Sequence, residues 1–520
     1  MIELKSYLVG EWVGGGARTE LLDPTTEEVI ATAPADRPDL RPALEHARRV
    51  GGPALRALTF AERGEMLKAL SKAIHARREA LIDVSIASGG TTRSDAKFDI
   101  DGASGTLAYY AGVGAKLGEA RWLTEPSEQL TQDSRFFGQH VWLPREGVAV
   151  HVNAFNFPAW GLCEKLAVAL LAGVPVISKP ATSTAVLAFR VAEAIVEAGV
   201  LPRGAFQLVV GSIGDLVEHL GPQDLLAFTG SADTAAKLRS ARSVVSRSTR
   251  VNIEADSLNS AVLAPGVEPG DDVYRTFVRD VVKEMTQKTG QKCTATRRIF
   301  VPRDAADRVQ EDLADELARI KVGHPALEEV RMGPLATRQQ RDDFRAGVAK
   351  LVASGARVVA GSATEVTPVG APEGKGFFVG PVLLRADEPA RADAVHAHEV
   401  FGPCATLCPY DDVASCVELV ARGEGGLVAT VYGDDRELLR GLVLGIAPHH
   451  GRVLVVSGKV AGKTISPGLV LPSCVHGGPG RAGGGEELGG ERGLRFYMQR
   501  TAIQGDRALL DKLFEGPRPA

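Results

Sequence analysis

The chain has 520 residues, with 60 Lys and Arg against 64 Asp and Glu, so its formal net charge is −4. At about 150 residues per domain, this length predicts three to four structural units with room for a buried core. Apolar residues at 44% and charged residues at 24% exclude a mainly disordered chain. The lack of a basic excess argues against a protein that binds nucleic acid through its charge.

The cysteine content bears on compartment and on metals. Six cysteines are too few for a disulfide scaffold in a chain of this length, and none forms a Cys-x-x-Cys pair. We therefore expect no metal site, and reduced thiols in this number favour the cytoplasm. The first residues lack the pattern of a secretory signal peptide, and the longest apolar stretch, 166–178, is too short to span a bilayer. The sequence predicts a cytoplasmic protein without a membrane partner.

The first half of the chain alternates between predicted helices and strands. Residues 38–120 are predicted to be largely helical, with Leu67, Leu70 and Ile74 on one face of a helix. Further along, β-branched runs predict buried strands at 148–152, 174–178, 206–210, 225–229 and 250–254. Between them lie amphipathic segments at 159–172, 184–199, 213–220 and 231–242. This alternation predicts a doubly wound sheet.

A second α/β unit is predicted in the remainder of the chain. Its helices are expected at 273–288, 304–320 and 411–422, and its strands at 296–302 and 356–360. Two extended, aromatic-rich segments, 136–145 and 494–502, flank the two units and are of a kind that can pair with another subunit. The fold class predicted is α/β, with two doubly wound domains and a small β oligomerisation element.

Polar residues and glycines follow the five predicted strands, at the sheet edge where doubly wound folds bind ligands. The segments are NAFNFPAW (153–160), KPAT (179–182), GSIG (211–214), TGS (229–231) and the terminal Glu254. None of these strand ends carries a GxGxxG fingerprint, so a standard Rossmann dinucleotide site is not supported. Each position also has a purely structural explanation: Asn156 can cap a helix, Lys179 can mark the end of a strand, and Gly211 can form a turn. Their convergence on one edge favours a ligand site.

Cys293 is the candidate nucleophile. It lies in the segment GQKCT, and the basic residues around it (Lys288, Lys292, Arg297 and Arg298) are expected to lower its thiol pKa. The structural alternative is a cap at Gly290 followed by a buried cysteine. His396 and His398 are interpreted as solvated loop histidines. The absence of GxSxG argues against a serine nucleophile.

Six short motifs occur in a fixed order along the chain. They are FNFPAW (155–160), KPAT (179–182), FTGS (228–231), Glu254, GQKC (290–293) and EVFGP (399–403). Together they resemble the aldehyde dehydrogenase superfamily over nearly the whole chain. The variants GQKCTATRR (290–298) and VHGGPGRAGGGEELGG (475–490) are similar to those of family members that act on CoA-linked semialdehydes in the aerobic degradation of aromatic compounds.

The resemblance implies a chemical role for three residues. The Cys293 thiolate would attack the aldehyde carbon while the Asn156 amide and the Cys293 backbone N–H hold the oxyanion. Hydride transfer to the nicotinamide would leave a thioester, which water activated by Glu254 would hydrolyse to the free acid. The implied partner is a small, CoA-linked aldehyde, and the implied assembly is a homo-oligomer with a dimer favoured.

The resemblance also implies a set of cofactor contacts. Lys179 would hold the adenine ribose, and Glu399 would hold the nicotinamide ribose. Gly230 and Ser231 would hold the pyrophosphate at a helix N-terminus. The full set of implied cofactor-binding residues is Phe155, Lys179, Pro180, Thr182, Gly211, Gly230, Ser231, Glu399 and Phe401.

Thr182 predicts the choice of cofactor. Many NAD-using relatives have a glutamate at this position, and its carboxylate would repel the 2′-phosphate of NADP. Thr182 is uncharged and Lys179 supplies a positive partner for phosphate oxygens, so we expect NADP, with NAD as a weaker substitute. The structural alternative is that Thr182 caps a helix that begins near residue 184.

The expected organisation assigns 1–124 and 146–254 to a dinucleotide-binding domain and 255–465 to a catalytic domain. Segments 125–145 and 466–520 are expected to serve oligomerisation and bridging. Ala255 and Asp256 stand where the family often has glycine, so we expect the backbone near the cofactor to differ there.

Two other functions remain open from the sequence. A CoA-acylating dehydrogenase would release a thioester, and Glu254 argues for hydrolysis instead. A catalytically silent member of the same fold, used as a binding module, is the non-enzyme alternative. The presence of Asn156, Glu254 and Cys293 argues against it.

Overall fold

A computed structural model describes residues 1–514 of the chain. The strands are β1 (Ile2–Glu3), β2 (Ser6–Leu8), β3 (Glu11–Val13), β4 (Arg18–Leu22), β5 (Val29–Pro34), β6 (Leu123–Thr124), β7 (Glu128–Gln129), β8 (Phe136–Pro144), β9 (Ala149–Val152), β10 (Val176–Lys179), β11 (Phe206–Leu208), β12 (Leu225–Thr229), β13 (Arg250–Glu254), β14 (Ser260–Leu263), β15 (Arg298–Pro302), β16 (Arg357–Ala360), β17 (Val382–Arg385), β18 (Cys404–Tyr410), β19 (Gly426–Tyr432), β20 (His450–Val456), β21 (Val475–Gly477), β22 (Glu486–Leu488) and β23 (Met498–Asp506).

The α-helices are α1 (Arg41–His46), α2 (Gly52–Ala57), α3 (Phe60–Ala76), α4 (Arg78–Gly89), α5 (Arg93–Leu117), α6 (Trp160–Ala172), α7 (Ala185–Glu197), α8 (Ala232–Arg239), α9 (Arg242–Arg247), α10 (Asp272–Thr286), α11 (Ala306–Ala318), α12 (Arg338–Ala353), α13 (Asp393–Ala397), α14 (Val413–Ala421), α15 (Arg436–Ile446), α16 (Glu491–Leu494) and α17 (Arg507–Leu513). Within residues 1–514, no helix combines the length and the apolar character needed to cross a bilayer.

The first large sheet contains the five strands expected before residue 255. Its order is β13-β12-β9-β10-β11-β2-β3, with the first five strands parallel and the hairpin β2-β3 added antiparallel at one edge. Two helical expectations in this unit were wrong. Segment 213–220 forms only a single 3₁₀ turn, Leu216–His219. The segment 231–242 divides into α8 and α9, because Ala241 adopts an extended conformation between them.

The second large sheet confirms a second doubly wound unit. Its order is β16-β17-β18-β15-β14-β19-β20, and only β16 runs antiparallel to its neighbour among these strands. The apolar faces of its strands pack against helices on both sides, with Phe300 and Phe277 fully buried. Of its seven strands, the sequence pattern predicted only β15 and β16.

A smaller sheet lies outside both units. β8 pairs antiparallel with β23 over its whole length, from Met498 opposite Pro144 to Asp506 opposite Phe136, and β6 and β7 add to its other edge. The expected extended segment 494–502 therefore begins later than predicted, because α16 and the 3₁₀ turn Arg495–Tyr497 occupy its start. β6 lies within the range expected for the dinucleotide-binding domain. The domain boundaries stay a prediction. Residues 515–520, at the end of the expected last segment, lie outside the described residues.

The glycine-rich segment 475–490 forms the hairpin β21-β22, which lies directly against β13. The Gly485 N–H donates a hydrogen bond to the Ile253 carbonyl at 3.1 Å. A Cβ at Gly483 or Gly485 would lie 2.3 or 2.4 Å from that same carbonyl oxygen, which is too close for any side chain. The glycines therefore allow this hairpin to reach the strand that ends in Glu254.

Candidate active site

The loop that carries Cys293 has an unusual backbone. Helix α10 ends at Thr286, and Lys288, Thr289 and Gly290 then all adopt left-handed conformations, with φ of 54°, 55° and 65°. Two of these residues are not glycine, and threonine rarely adopts a positive φ. The surrounding structure therefore holds the loop in this conformation. At Gly290 a Cβ would lie 2.2 Å from the Gly402 carbonyl oxygen, so only glycine fits there.

Hydrogen bonds from two side chains hold this loop in place. The Asn259 Nδ2 donates to the carbonyl oxygens of Cys293 and Ala295, both at 2.8 Å. The Arg297 guanidinium donates to the Gly290 carbonyl oxygen at 3.0 Å. The segment after α10 is therefore fixed on both sides of the cysteine.

Four chain segments bring their functional side chains together at one narrow cavity. The Cys293 Sγ lies 3.9 Å from the His476 Nε2, and the same nitrogen lies 3.1 Å from the Glu254 Oε2. The Glu254 and His476 side chains are only 3% and 6% exposed. Asn156 lines the same cavity. The structure thus brings together the three residues expected to be catalytic and adds His476, which the sequence analysis missed.

The expectation that basic neighbours lower the Cys293 pKa is wrong. Burial raises the pKa of the Cys293 thiol well above its ordinary value, and the adjacent Glu254 carboxylate raises it further. The nearby positive charges are occupied, since the Lys292 ammonium pairs with Glu284 and the Lys288 Nζ lies 3.9 Å from the Asp99 carboxylate. Cys293 is therefore held as a neutral thiol beside a base.

Glu254 and His476 form a buried ion pair. Burial alone would raise the Glu254 pKa, but the His476 imidazolium, together with the Lys165 ammonium and the Cys293 thiol, outweighs it and holds that pKa below its ordinary value. Conversely, burial would lower the His476 pKa, and the Glu254 carboxylate raises it. Among the described residues, the Glu254 Oε1 is buried and has no hydrogen-bond partner, so one carboxylate oxygen stays available for the thiol or for water.

A second group of buried charges lies next to Glu254. The Lys165 Nζ lies 3.1 Å from the Glu487 Oε2 and 3.3 Å from the Glu164 Oε1. Burial raises the Glu487 pKa, whereas Lys165 acts to lower it. The sequence analysis missed this group. The sequence feature that could have revealed this group is the Glu-Lys pair at 164–165, inside the otherwise apolar run of α6. Burial of a charged pair is costly, so such a pair indicates a function.

The structure excludes two of the capping roles considered from the sequence. Helix α6 begins at Trp160, whose N–H donates to the Asp99 Oδ1 at 2.7 Å, so Asn156 is not its cap. Helix α7 begins at Ala185 with no side-chain cap, so Thr182 does not cap it either. Both side chains are therefore available for other contacts.

Phe155 and Phe401, one from each α/β unit, are the expected cofactor contacts that the structure brings together. The rings of Phe155 and Phe401 are 5.7 Å apart in an edge-to-face arrangement. The Lys179 side chain, at the end of β10, has no carboxylate within 4.0 Å among the described residues, and burial lowers its pKa. Pro180 and Gly211 are buried. Gly211 has φ of 95°, and a Cβ there would lie 2.3 Å from the Pro34 carbonyl oxygen. A close backbone approach therefore accounts for this glycine.

The N-terminus of α8, where Gly230 and Ser231 lie, is already partly occupied. The Ser231 Oγ caps the helix by accepting from the Thr234 N–H at 3.4 Å. The Asp256 Oδ1 accepts from the Ala232 N–H at 3.1 Å. A carboxylate therefore lies where the resemblance implies a pyrophosphate, and the backbone difference expected around Ala255 and Asp256 stays a prediction.

Glu399 is held in place by contacts within the protein. Its Oε1 lies 3.2 Å from the Arg297 Nε, and its Oε2 accepts from the Ser257 N–H at 2.9 Å. Burial raises its pKa to about 7 although Arg297 opposes this shift. The interpretation of His396 as a solvated loop histidine is wrong: it is buried, and its Nδ1 lies 3.1 Å from the Arg298 guanidinium.

Comparisons with known proteins place this site in context. The aldehyde dehydrogenase family model matches residues 12–503. Over 480 residues the chain is 46% identical to 3,4-dehydroadipyl-CoA semialdehyde dehydrogenase of Aromatoleum evansii, covering 92% of this chain and 93% of that protein. It is also 30% identical over 503 residues to a non-phosphorylating aspartate-semialdehyde dehydrogenase of Halomonas elongata, covering 95% and 94% of the two chains.

Solved structures confirm the fold. A betaine aldehyde dehydrogenase of Staphylococcus aureus, solved in complex with NAD⁺, superposes with a TM-score of 0.84 at 22% identity, covering 97% of this chain and 95% of that one. An aldehyde dehydrogenase of Bacillus cereus, also in complex with NAD⁺, superposes with a TM-score of 0.83 at 23% identity, covering 97% of both chains.

Proposed function

This chain belongs to the aldehyde dehydrogenase family, and we propose that it uses NADP to oxidise a CoA-thioester semialdehyde, such as 3,4-dehydroadipyl-CoA semialdehyde, to its carboxylic acid. The observation that carries the proposed chemistry is the meeting of Cys293, Glu254 and Asn156 at one cavity. The substrate class is supported by the relative from Aromatoleum evansii, which matches this chain at 46% identity.

The first half of the proposed reaction begins with a proton transfer from Cys293 to Glu254. Because the partly buried thiol is neutral, it becomes a nucleophile when the adjacent carboxylate removes its proton. The Asn156 amide and the Cys293 backbone N–H then hold the oxyanion, each such donor contributing about 2.7–4 kcal/mol. A bound nicotinamide would supply the hydride acceptor that oxidation of the thiohemiacetal requires, and a thioester on Cys293 would remain.

Glu254 acts again in the second half. Once its proton has left, the Oε1 that has no internal partner is free to accept a proton from water, and the activated water attacks the thioester. His476 is a positioning residue in this proposal, since its bond to the Oε2 fixes the orientation of the carboxylate. The acid and the free Cys293 thiol are the products.

NADP is supported by the residues at the end of β10. A partly buried ammonium without a carboxylate partner suits the 2′-phosphate, and Lys179 supplies one. Thr182 is uncharged and makes no helix cap, so its hydroxyl can donate to the same phosphate. Phe155 and Phe401 would flank the nicotinamide side of the cleft.

The proposed assembly is a cytoplasmic homodimer. The sheet formed by β6, β7, β8 and β23 exposes apolar side chains, with Phe136 38% and Leu143 40% exposed. Exposed apolar side chains on an edge sheet favour burial against a second copy of the chain.

The test is an assay with matched substrates. The enzyme is given a CoA-linked semialdehyde or a free aldehyde of the same chain length, without added CoA, and NADPH is measured by absorbance. We expect a higher kcat/KM for the CoA-linked substrate and the free acid as the product. Equal kcat/KM for both substrates would contradict the proposed substrate class. A strict requirement for added CoA would favour the acylating alternative.

A further inference from the structure

We infer that Cys293, Glu254 and His476 form a binding site for a thiophilic divalent cation such as Zn²⁺, which blocks the nucleophile reversibly. Each residue offers one ligand atom to this site, and all these atoms lie within 4.8 Å of one another. One sulfur, one nitrogen and one oxygen ligand, with water in the fourth position, form a donor set typical of zinc. The inference does not depend on which aldehyde is the substrate.

The spacing of the ligand atoms suits tetrahedral zinc. Zinc bonds of about 2.3 Å to sulfur and 2.0–2.1 Å to nitrogen and oxygen place tetrahedral S···N and N···O pairs about 3.6 and 3.4 Å apart. Here the Cys293 Sγ and the His476 Nε2 are 3.9 Å apart, and that Nε2 is 3.1 Å from the Glu254 Oε2. Shifts of a few tenths of an ångström therefore complete the geometry.

The local charge favours a cation. Three carboxylates, those of Glu164, Glu254 and Glu487, lie within 4.8 Å of one another, and Lys165 pairs with two of them. One oxygen of Glu254 is buried without a hydrogen-bond partner among the described residues. A cation bound to the Oε2 would lie next to this unpartnered oxygen and offset the remaining negative charge.

The ligands are also held in advance. His476 is carried on β21, which the glycine-rich hairpin places against β13 and Glu254. The Asn259 amide holds the Cys293 carbonyl from the opposite side. Ligands fixed by such outer contacts lose little freedom when a metal binds.

Binding requires proton release and no redox change. As the Zn–S bond forms, the Cys293 thiol proton goes to solvent. His476 loses its imidazolium proton so that the Nε2 lone pair can bind, so two protons leave for each cation. The cation then occupies the sulfur that attacks the aldehyde and an oxygen of the carboxylate that activates water. Removal of the metal by a chelator restores both.

Two other places on this chain offer ligands for the same cation. The carboxylate cluster of Glu164, Glu254 and Glu487 is a hard oxygen set, which suits Mg²⁺ or Ca²⁺ better than Zn²⁺. Cys474 is an exposed free thiol two residues from His476. The experiment must therefore separate these places from the proposed site.

The experiment titrates Zn²⁺ into the purified full chain against a chromophoric chelator, without aldehyde. In parallel, iodoacetamide labelling of Cys293 is followed by peptide mass spectrometry. We expect one tightly bound Zn²⁺ per chain, protection of Cys293 from alkylation, and reversal by excess chelator. Mg²⁺ at the same concentration should give no protection.

The variants decide where the metal binds. Loss of an outer partner of a metal ligand already weakens binding about 10–100-fold, so His476→Gln and Cys293→Ser should each weaken Zn²⁺ binding at least about tenfold. Cys474→Ala should bind Zn²⁺ like the wild type, and Glu487→Gln, which removes a neighbouring charge but no ligand, should weaken binding less than either ligand variant. The serine variant differs by one atom, and circular dichroism checks that each variant is folded. Wild-type affinity in either ligand variant, or unchanged alkylation with Zn²⁺, would overturn the inference.

Discussion

The catalytic side and the cofactor side of the site differ in how their charged side chains are paired. On the catalytic side, the Glu254 and His476 side chains are 3% and 6% exposed, and each is paired to the other. On the cofactor side, Lys179 lacks a carboxylate partner in the described chain and Ser231 is exposed. The catalytic side thus keeps its charges in fixed internal contacts, whereas the cofactor side leaves the Lys179 ammonium for a ligand while Arg297 holds Glu399. Substitutions on the first side should change the chemistry, and those on the second should change affinity and choice.

The largest expected effect is that of Cys293→Ala. Removal of the nucleophile should lower kcat at least about 10⁴-fold, because no later step can proceed without the thioester. Steady-state NADPH formation measures the loss, and NADP binding by fluorescence should be retained. Cys474→Ala, at the exposed cysteine, is the control and should keep its activity. Retained turnover in the Cys293 variant would disprove the mechanism.

Glu254→Gln should separate the two half-reactions. Without a base for the hydrolytic water, kcat should fall about 10²–10⁴-fold. Rapid mixing should show one NADPH formed per site, more slowly than in the wild type because the thiol also loses its base, and then a stall with an acyl adduct on Cys293 by mass spectrometry. The exposed Glu268→Gln serves as the control. A burst at the wild-type rate would show that Glu254 does not remove the thiol proton, and continued turnover would show that it does not activate the water.

On the cofactor side, Thr182→Glu should shift the preference from NADP towards NAD. The new carboxylate would face a 2′-phosphate with a charge close to −2, so the ratio of kcat/KM values should change by about tenfold or more. Thr182→Gln has the size of glutamate without its charge and should shift the ratio less. Steady-state kinetics with both cofactors measures this. Equal ratios in the two variants would indicate a steric cause.

His476→Gln should shift the acid limb in the pH profile of the deacylation rate to higher pH. Glu254 is ionised above a pKa that His476 holds low, so in the wild type deacylation persists as the pH falls. Without the imidazolium, burial raises the Glu254 pKa, and Lys165 opposes this rise. The acid limb of the deacylation profile should therefore move to higher pH by about one to three units. The pH profile of single-turnover acid release measures the shift. The exposed His75→Gln should leave the profile unchanged.

The smallest expected effect is that of Asp256→Asn. Its carboxylate accepts from the Ala232 N–H at the helix end where the cofactor pyrophosphate is proposed to bind. Removal of the charge should lower the KM for NADP about two- to fivefold with little change in kcat, since like charges near a surface repel by about 1 kcal/mol or less. Asp83→Asn, exposed on α4, controls for net charge. A raised KM would mean that Asp256 helps to hold the cofactor.

The sequence alone led to the α/β fold and to the residues expected to carry the chemistry. Strand ends in a parallel sheet meet at one edge, so the order of Asn156, Lys179, Ser231 and Glu254 along the chain already places them together. The same reasoning placed Cys293 in a loop after a helix, and the motif order identified the family. These inferences depend on local pattern and connectivity, which a sequence contains.

Other features were decided only by the tertiary structure. His476 lies 222 positions from Glu254 in the chain, and only the packing of the hairpin on β13 brings the two within 3.1 Å. The Cys293 pKa was predicted with the wrong sign, because neighbours in sequence showed positive charge while the fold paired Lys292 with Glu284 and buried the thiol. Burial and charge pairing depend on segments distant in sequence. Residue types and periodicity therefore determined which groups are present, and three-dimensional packing determined their protonation and their partners.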